Sequence, residues 1–294
     1  MNNGYVLAVI GGSGLYEIEG LADVEAIAMD TPFGPPSDLI VRGRWGATTL
    51  LFLPRHGRGH RFAPHEIPFR ANVCACKMLG ATHLVSVSAV GSMKEAIFPG
   101  DFVVVDQLID LTKQRPSTFF EDGLVGHVSL ADPVCDQLSS ALASAAERVG
   151  ARTHRGGTYV CIEGPQFSTR AESLLYRSWG VSVIGMTAMP EAKLAREAEL
   201  PFALLALATD YDCWHETESD VSAGAVLQVM EKNVAAARRA VAELAFALPD
   251  PASSRATGSL ATALMTAPSQ ISSTTRGRLE WLFGKSPSPA PVPR

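Results

Sequence analysis

No run of about 18 uninterrupted apolar residues occurs in this 294-residue chain, so a membrane-spanning helix is not expected. Charge is scarce as well. Charged residues make up 19% of the chain against 47% hydrophobic, ample for a real core in one large α/β domain or two smaller ones. The net charge is −5 and no stripe of Lys and Arg appears, which argues against nucleic acid and anionic membranes as partners, since both reward clustered cations. The start, MNNGYVLAVIGG, lacks a basic n-region and a cleavage site and reads as a first strand. Cysteine is limited to Cys74, Cys76, Cys135, Cys161 and Cys213, an odd set whose spacing suits no zinc site. Most lie in apolar segments, where a free thiol behaves as a small hydrophobe. A reduced, cytoplasmic protein is expected, with Cys74-Ala75-Cys76 read as core or helix-face residues.

What is present is a recurrence of short, β-rich apolar runs. Strands are predicted near 5–10, 48–53, 83–88, 101–106, 158–162, 182–186 and 202–209, with helices near 66–79, 132–149, 169–179, 189–199 and 222–247. Near-continuous Val, Ile and Leu strands imply a sheet buried on both faces under helical layers. The predicted fold class is therefore α/β, with one domain over residues 1–249. From 250 to 294 the composition turns to Pro, Ser, Thr and Ala, and a flexible tail is expected, with GRLEWLFG as one short docking segment.

Open α/β sheets bind ligands at the carboxyl ends of their strands, so the residues that follow each strand carry the functional argument. The first strand ends in Gly11-Gly12-Ser13-Gly14, whose exposed N–H groups and hydroxyl suit an anion. Glu17 breaks the dinucleotide pattern GxGxxG, and Leu15 breaks the nucleophile elbow GxSxG. The second strand ends in Arg55-His56: Arg offers a planar fork matched to phosphate and His a further donor. His60 follows four residues after His56, but Gly57 and Gly59 oppose a helix there, so no metal site is expected. Later strands deliver Ser88-Ala89, Met186-Thr187 and, in ALATDYDCWHE, Asp210 and Asp212. Taken singly, each has an ordinary reading: Ser and Thr cap helices, and Arg pairs with surface carboxylates. Their joint recurrence along one edge of one sheet points to an anion site beside a pair of acids.

The segments GGSGLYEIEG, TPFGPPSD, PRHGRGH, VSAVGSMKEAIFPGDFVVVDQLIDLTKQRP, IEGPQFSTRAES and GMTAMPEAKLAREAELPFALLALATDYDCW, in that order, resemble the nucleoside phosphorylase superfamily. Within its trimeric purine branch they are most similar to the 5′-methylthioadenosine phosphorylases. The resemblance covers about residues 6–245 and implies that family's fold, a central mixed sheet flanked by helices. It implies phosphate binding by Ser13, Arg55, His56, Ser88, Ala89 and Thr187, and nucleoside binding by Met186 at the ribose and Phe167 on the purine. His127 is implied at the 5′ end, and Asp210 and Asp212 at the adenine as catalytic acids. An acid facing a 6-amino group matches acceptor to donor, whereas a 6-oxo group needs a donor. Ser168 and Ala223 are the expected specificity positions. Relatives commonly carry a larger Val at the latter, so Ala223 would widen the 5′ pocket. Pro68-Phe69 also departs from the common Asn-Tyr, and Ser13 and Ser88 stand where many relatives have Thr.

The implied reaction is phosphorolysis of methylthioadenosine by a homotrimer, with inorganic phosphate as co-substrate and no cofactor. Two alternatives accompany it: a purine nucleoside phosphorylase of broader taste, acting on adenosine or 6-oxopurine nucleosides, and a non-catalytic nucleoside-binding module.

Overall fold

The computed structural model describes residues 4–12, 14–15, 20–215 and 223–283. Its elements in chain order begin with β1 (Val6–Gly11), β2 (Ala22–Ile27), β3 (Ile40–Trp45), β4 (Thr48–Pro54), α1 (Phe69–Met78), β5 (His83–Ser92), β6 (Phe102–Val104) and β7 (Gln107–Asp110). There follow α2 (Asp136–Arg148), β8 (Thr153–Arg155), β9 (Thr158–Cys161), α3 (Arg170–Ser178), β10 (Val183–Gly185), α4 (Ala188–Glu197), β11 (Phe202–Asp210) and α5 (Ala223–Leu244), and finally α6 (Ser273–Arg278) and α7 (Glu280–Phe283).

The strands form one mixed sheet that forks at β5. One path runs β2-β3-β4-β1-β5-β10-β9-β7, while β11 pairs with the opposite edge of β5 and leads on through β6 to β8. The sheet is buried on both faces, and the two-residue period divides its side chains between two cores. Ala8, Ile10, Leu51, Leu53, Leu84 and Leu204 pack with α1 and α4, whereas Leu7, Val9, Leu50, Phe52, Val85 and Leu205 pack with α2 and α5. That double burial is why the strands read as unbroken apolar runs rather than alternating ones.

Each of the seven predicted strands and five predicted helices is found, with ends displaced by a few residues. Four strands were not expected from the sequence. β2 is an exposed edge strand tied to β3 by the Arg42–Glu25 and Arg44–Asp23 pairs, so its sequence has no core face to reveal, and β3 buries only Ile40, Val41 and Gly43, too short an apolar run to read as a strand. β7 and β8 are short and only partly buried.

The segment beyond residue 250, expected as a flexible tail, is packed against the domain as far as Phe283. Leu260, Ala263, Leu264 and Leu279 are buried, Leu264 bridges to Gly126, and the Met265 N–H donates to the Val125 carbonyl (2.9 Å). Within GRLEWLFG, Trp281 meets Phe119 edge-on at 5.0 Å and Phe33 at 6.4 Å. Small Ser, Thr and Ala residues looked disordered by composition, yet they allow irregular chain to lie close along a surface while widely spaced Leu side chains anchor it. Among the described residues, no helix is long and apolar enough to cross a membrane.

Candidate active site

The fork at β5 creates the site. β5 runs parallel to β1 and β11 along its first part, then pairs antiparallel with β10 through Gly91 and Ser92. The ends of β1, β4, β5, β10 and β11 therefore converge on one cavity of about 650 Å³. Arg55 and His56 reach it from the end of β4, Ser88 and Ala89 from β5, and Phe167 and Ser168 from the segment after β9. Met186 and Thr187 come from the end of β10, and Asp210 and Asp212 from the end of β11. One expected residue does not join them. His127 is exposed and outside the lining, its N–H engaged by the Ala263 carbonyl at 2.8 Å. Ser13 lies outside the described residues, as does the side chain of Ala223.

The Asp pair is aimed by a bulge. Up to Ala208, β11 pairs regularly with β5, and Ala208 faces Val90; the register then shifts so that Asp210 faces Gly91. Regular pairing would put Thr209 at that place and turn Asp210 to the opposite face of the sheet. Gly91 leaves the room needed, because a Cβ there would meet Asp210 Oδ1 and Ile184 Cγ2, each at 3.0 Å. Asp212 occupies the left-handed region at φ 54°, which a short polar side chain tolerates better than most. The Trp214 indole donates to the Ser92 carbonyl (2.7 Å) and anchors the turn.

Both acids have pKa values raised by burial. In Asp210 this outweighs the lowering effect of two donors, the Thr209 hydroxyl and the Asp212 N–H, each 2.7 Å away. For Asp212 burial again leads. Two carboxyls withdrawn from water on one short turn favour the protonated form of at least one.

The anion-facing part consists of hydroxyls with nothing to bond. Ser88 Oγ and Thr187 Oγ1 are buried, at 6% exposure each, and neither has a partner among the described residues. Ser168 Oγ is buried as well and has no partner among the described residues. A buried polar atom without a partner costs stability, so three of them on one cavity wall mark a place prepared for a polar ligand.

Arg55 departs from the sequence expectation in detail. Its side chain is 1% exposed. Nε donates to Glu191 Oε1 (2.6 Å), Nη1 to the Val87 carbonyl (3.0 Å), and Nη2 lies within reach of the Ile10 carbonyl, Ser86 Oγ and Glu191 Oε2. The fork expected to face an anion is thus held mainly by the protein, which leaves Arg55 with at most one uncommitted proton, on Nη1. Glu191 was not singled out in the sequence. Its only signal is an acid on the apolar face of α4, next to Ala192 and close to Ala188 and Ala195, where burial demands a cation.

His56 differs in the same direction. Its ring stacks on His60 at 4.1 Å. Nδ1 lies 2.9 Å from the Phe62 carbonyl, which can only accept, so Nδ1 carries the proton. Burial lowers its pKa to about 4. The neutral ring therefore presents Nε2 as an acceptor, where a donor was expected. The sequence also hid the apolar wall supplied by α5, including Val226, Met230 and Val234, because that helix face reads as ordinary core. Among the described residues, no group of three or more His, Cys, Asp or Glu side chains is gathered to hold a metal.

Residues 6–245 match the family model of the phosphorylase superfamily. The chain is 52% identical over 280 residues to an S-methyl-5′-thioadenosine phosphorylase of Geobacter sulfurreducens, covering 95% of this chain and 98% of that one. A match of this length runs past residue 250, so the similarity extends into the C-terminal segment, beyond the limit expected from the sequence. In structure, the chain is similar to a methylthioadenosine phosphorylase from an antarctic soil metagenomic library, with TM-score 0.89, 49% identity and coverage of 95% and 99% of the two chains. A methylthioadenosine phosphorylase from Schistosoma mansoni in complex with adenine superposes with TM-score 0.78 at 36% identity, covering 84% of this chain and 93% of that one.

Proposed function

The chain belongs to the phosphorylase superfamily, and from that premise we propose that it catalyses phosphorolysis of 5′-methylthioadenosine to adenine and 5-methylthioribose 1-phosphate. One observation carries the reading: unpartnered hydroxyls and buried acids share a single wall. Ser88 and Gly91, the residue faced by Asp210, stand three positions apart on β5. That is a separation of about 10 Å at ~3.3 Å per residue, room for a sugar between an anion and a base.

Phosphate sits against the Ser88 and Thr187 hydroxyls and the Ala89 segment, and the remaining Arg55 proton faces it. Neutral His56 accepts a hydrogen bond at Nε2 from the proton that monohydrogen phosphate carries. Ser13 completes this set on the strength of the resemblance. As the glycosidic bond loosens, positive charge develops on the ribose, and the anion, fixed in line with the anomeric carbon, stabilises it. Met186 packs on the ribose and the half-exposed Phe167 on the purine. Asp212 and Ser168 address the polar edge of the base. Asp210, withdrawn from water and readily protonated, supports the leaving adenine at N7, a general-acid contribution of roughly 10²–10⁴-fold. The reaction calls for no metal or organic cofactor, because phosphate is the nucleophile. The apolar α5 residues Val226 and Met230 suit a methylthio group better than a hydroxyl, which favours this substrate over adenosine. The same reading includes a cytoplasmic homotrimer, which accommodates His127 as a group lent to a neighbouring subunit's 5′ pocket.

The test is adenine release from methylthioadenosine by the purified chain, with and without phosphate. Release is expected only with phosphate, and phosphate-independent release would identify a hydrolase instead. Asp210→Asn is expected to lower kcat/KM for methylthioadenosine by about 10²-fold or more, with residual activity moving toward inosine. Unchanged kinetics would remove the acid role from Asp210.

A further inference from the structure

Arg115 does not line the cavity, yet it is bonded to two of the segments that form its wall. Its side chain is fully buried. Nε donates to Glu163 Oε1 at 2.8 Å, and Nη1 to the carbonyls of Met186 (2.6 Å) and Met189 (2.7 Å). Nη2 donates to the Glu163 carbonyl at 2.6 Å and, at 3.5 Å, to that of Ile162. These acceptors account for all five N–H groups of a guanidinium, so none is left for a ligand. Four of the five are main-chain carbonyls. They come from residues 162–163, which lead into Phe167 and Ser168, and from residues 186–189, which carry Met186 and Thr187.

The bracket around Thr187 is close. Carbonyls one residue before it and two residues after it converge on the same nitrogen, while its own hydroxyl has no partner among the described residues. Among the described residues no hydrogen bond holds the Thr187 side chain, so its direction follows from the backbone that Arg115 grips. Glu163 closes the arrangement from the other side, its carboxylate accepting the Lys113 and Gln114 N–H groups just before Arg115.

We propose that Arg115 is a positioning residue, whose guanidinium binds segments 162–168 and 186–189 into one unit so that Thr187, Met186, Phe167 and Ser168 meet their ligands in register. This deepens the phosphorylase reading and rests on it. Lysine cannot substitute: a compact ammonium with three donors cannot serve five acceptors spread along a plane.

The experiment compares wild type, Arg115→Lys, Arg115→Ala and Glu163→Gln as full-length chains. It measures kcat, KM for phosphate and for methylthioadenosine, adenine affinity by calorimetry, and thermal melting. In R115K both KM values are expected to rise about tenfold and kcat/KM to fall about 10²-fold, the scale of a small misplacement. E163Q retains the carbonyl contacts, and a rise of about threefold in both KM values is expected there, without loss of folding. Guanidinium ion at millimolar levels is expected to restore part of the affinity in Arg115→Ala. A purely structural residue would lower the folded fraction, and hence the maximal rate, but leave KM alone. Unchanged KM values in folded R115K, or in E163Q should R115K not fold, overturn the proposal. Absence of turnover in wild type defeats the phosphorylase reading instead. Adenine affinity then decides: weakening of about tenfold in R115K upholds the positioning role, and equal affinity, or no binding by wild type, ends it.

Discussion

Ser88 and Thr187 show how little a side chain needs to do inside its own protein. Both hydroxyls are buried, and neither meets the geometry of a hydrogen bond to a described residue, so each is left for a ligand to satisfy. Ser88→Ala and Thr187→Val should therefore leave the thermal midpoint unchanged or raise it, because no internal bond is lost. Each should weaken phosphate binding by about 10- to 100-fold, the worth of one hydrogen bond to a charged partner of roughly 1.5–3 kcal/mol. Melting curves and KM for phosphate check the two halves separately; a destabilised variant would mean that the hydroxyl has a structural partner. Arg55 is the opposite kind of residue. The sequence exposes it as a phosphate ligand, but its bonds to Glu191, Ser86 and two carbonyls make it part of the frame first.

At the scale of elements, β5 is the strand on which everything turns: its neighbours are β1, β11 and, at its far end, β10. Its first residue, His83, is fully buried, with Nε2 3.0 Å from the Pro249 carbonyl and Nδ1 2.9 Å from the Thr82 hydroxyl. The ring ties the start of the strand to the chain just beyond α5. Burial lowers its pKa from 6.5 to about 4, as it does for His56. With the folded value below the unfolded one, the unfolded chain binds more protons between them. The contribution of these two rings is thus fully present above pH 6.5 and declines as pH falls toward about 4. Urea denaturation at pH 7.5 and 4.5 should show the loss, and His83→Gln should make the curve shallower. An identical slope in that variant would mean His83 is not the titrating group.

Over the whole molecule, the C-terminal segment acts as a second fastening of the core. Leu279 has no exposed surface, and Trp281 packs on Phe33 and Phe119. Leu279→Ala should cost about 2–5 kcal/mol, the usual range for a buried Leu, measured as a shift in urea midpoint. KM values should stay close to wild type, because the segment does not line the cavity. A loss within error would show that residues 250–283 can leave the domain without consequence.

The sequence by itself determined the α/β class, the seven buried strands and the chemistry gathered at their ends, because a strand buried on both faces must be apolar and its exit need not be. Its motifs also carried the family. Tertiary structure alone decided the rest. The edge strand β2 exists through pairing rather than composition, and the C-terminal segment is ordered by a surface that no local pattern encodes. The bulge that aims Asp210, the commitment of Arg55 to Glu191 and the proton on His56 Nδ1 depend on partners distant in sequence or on local backbone geometry. Such pairings leave no periodicity to read, since direction and protonation are properties of contacts rather than of residue types.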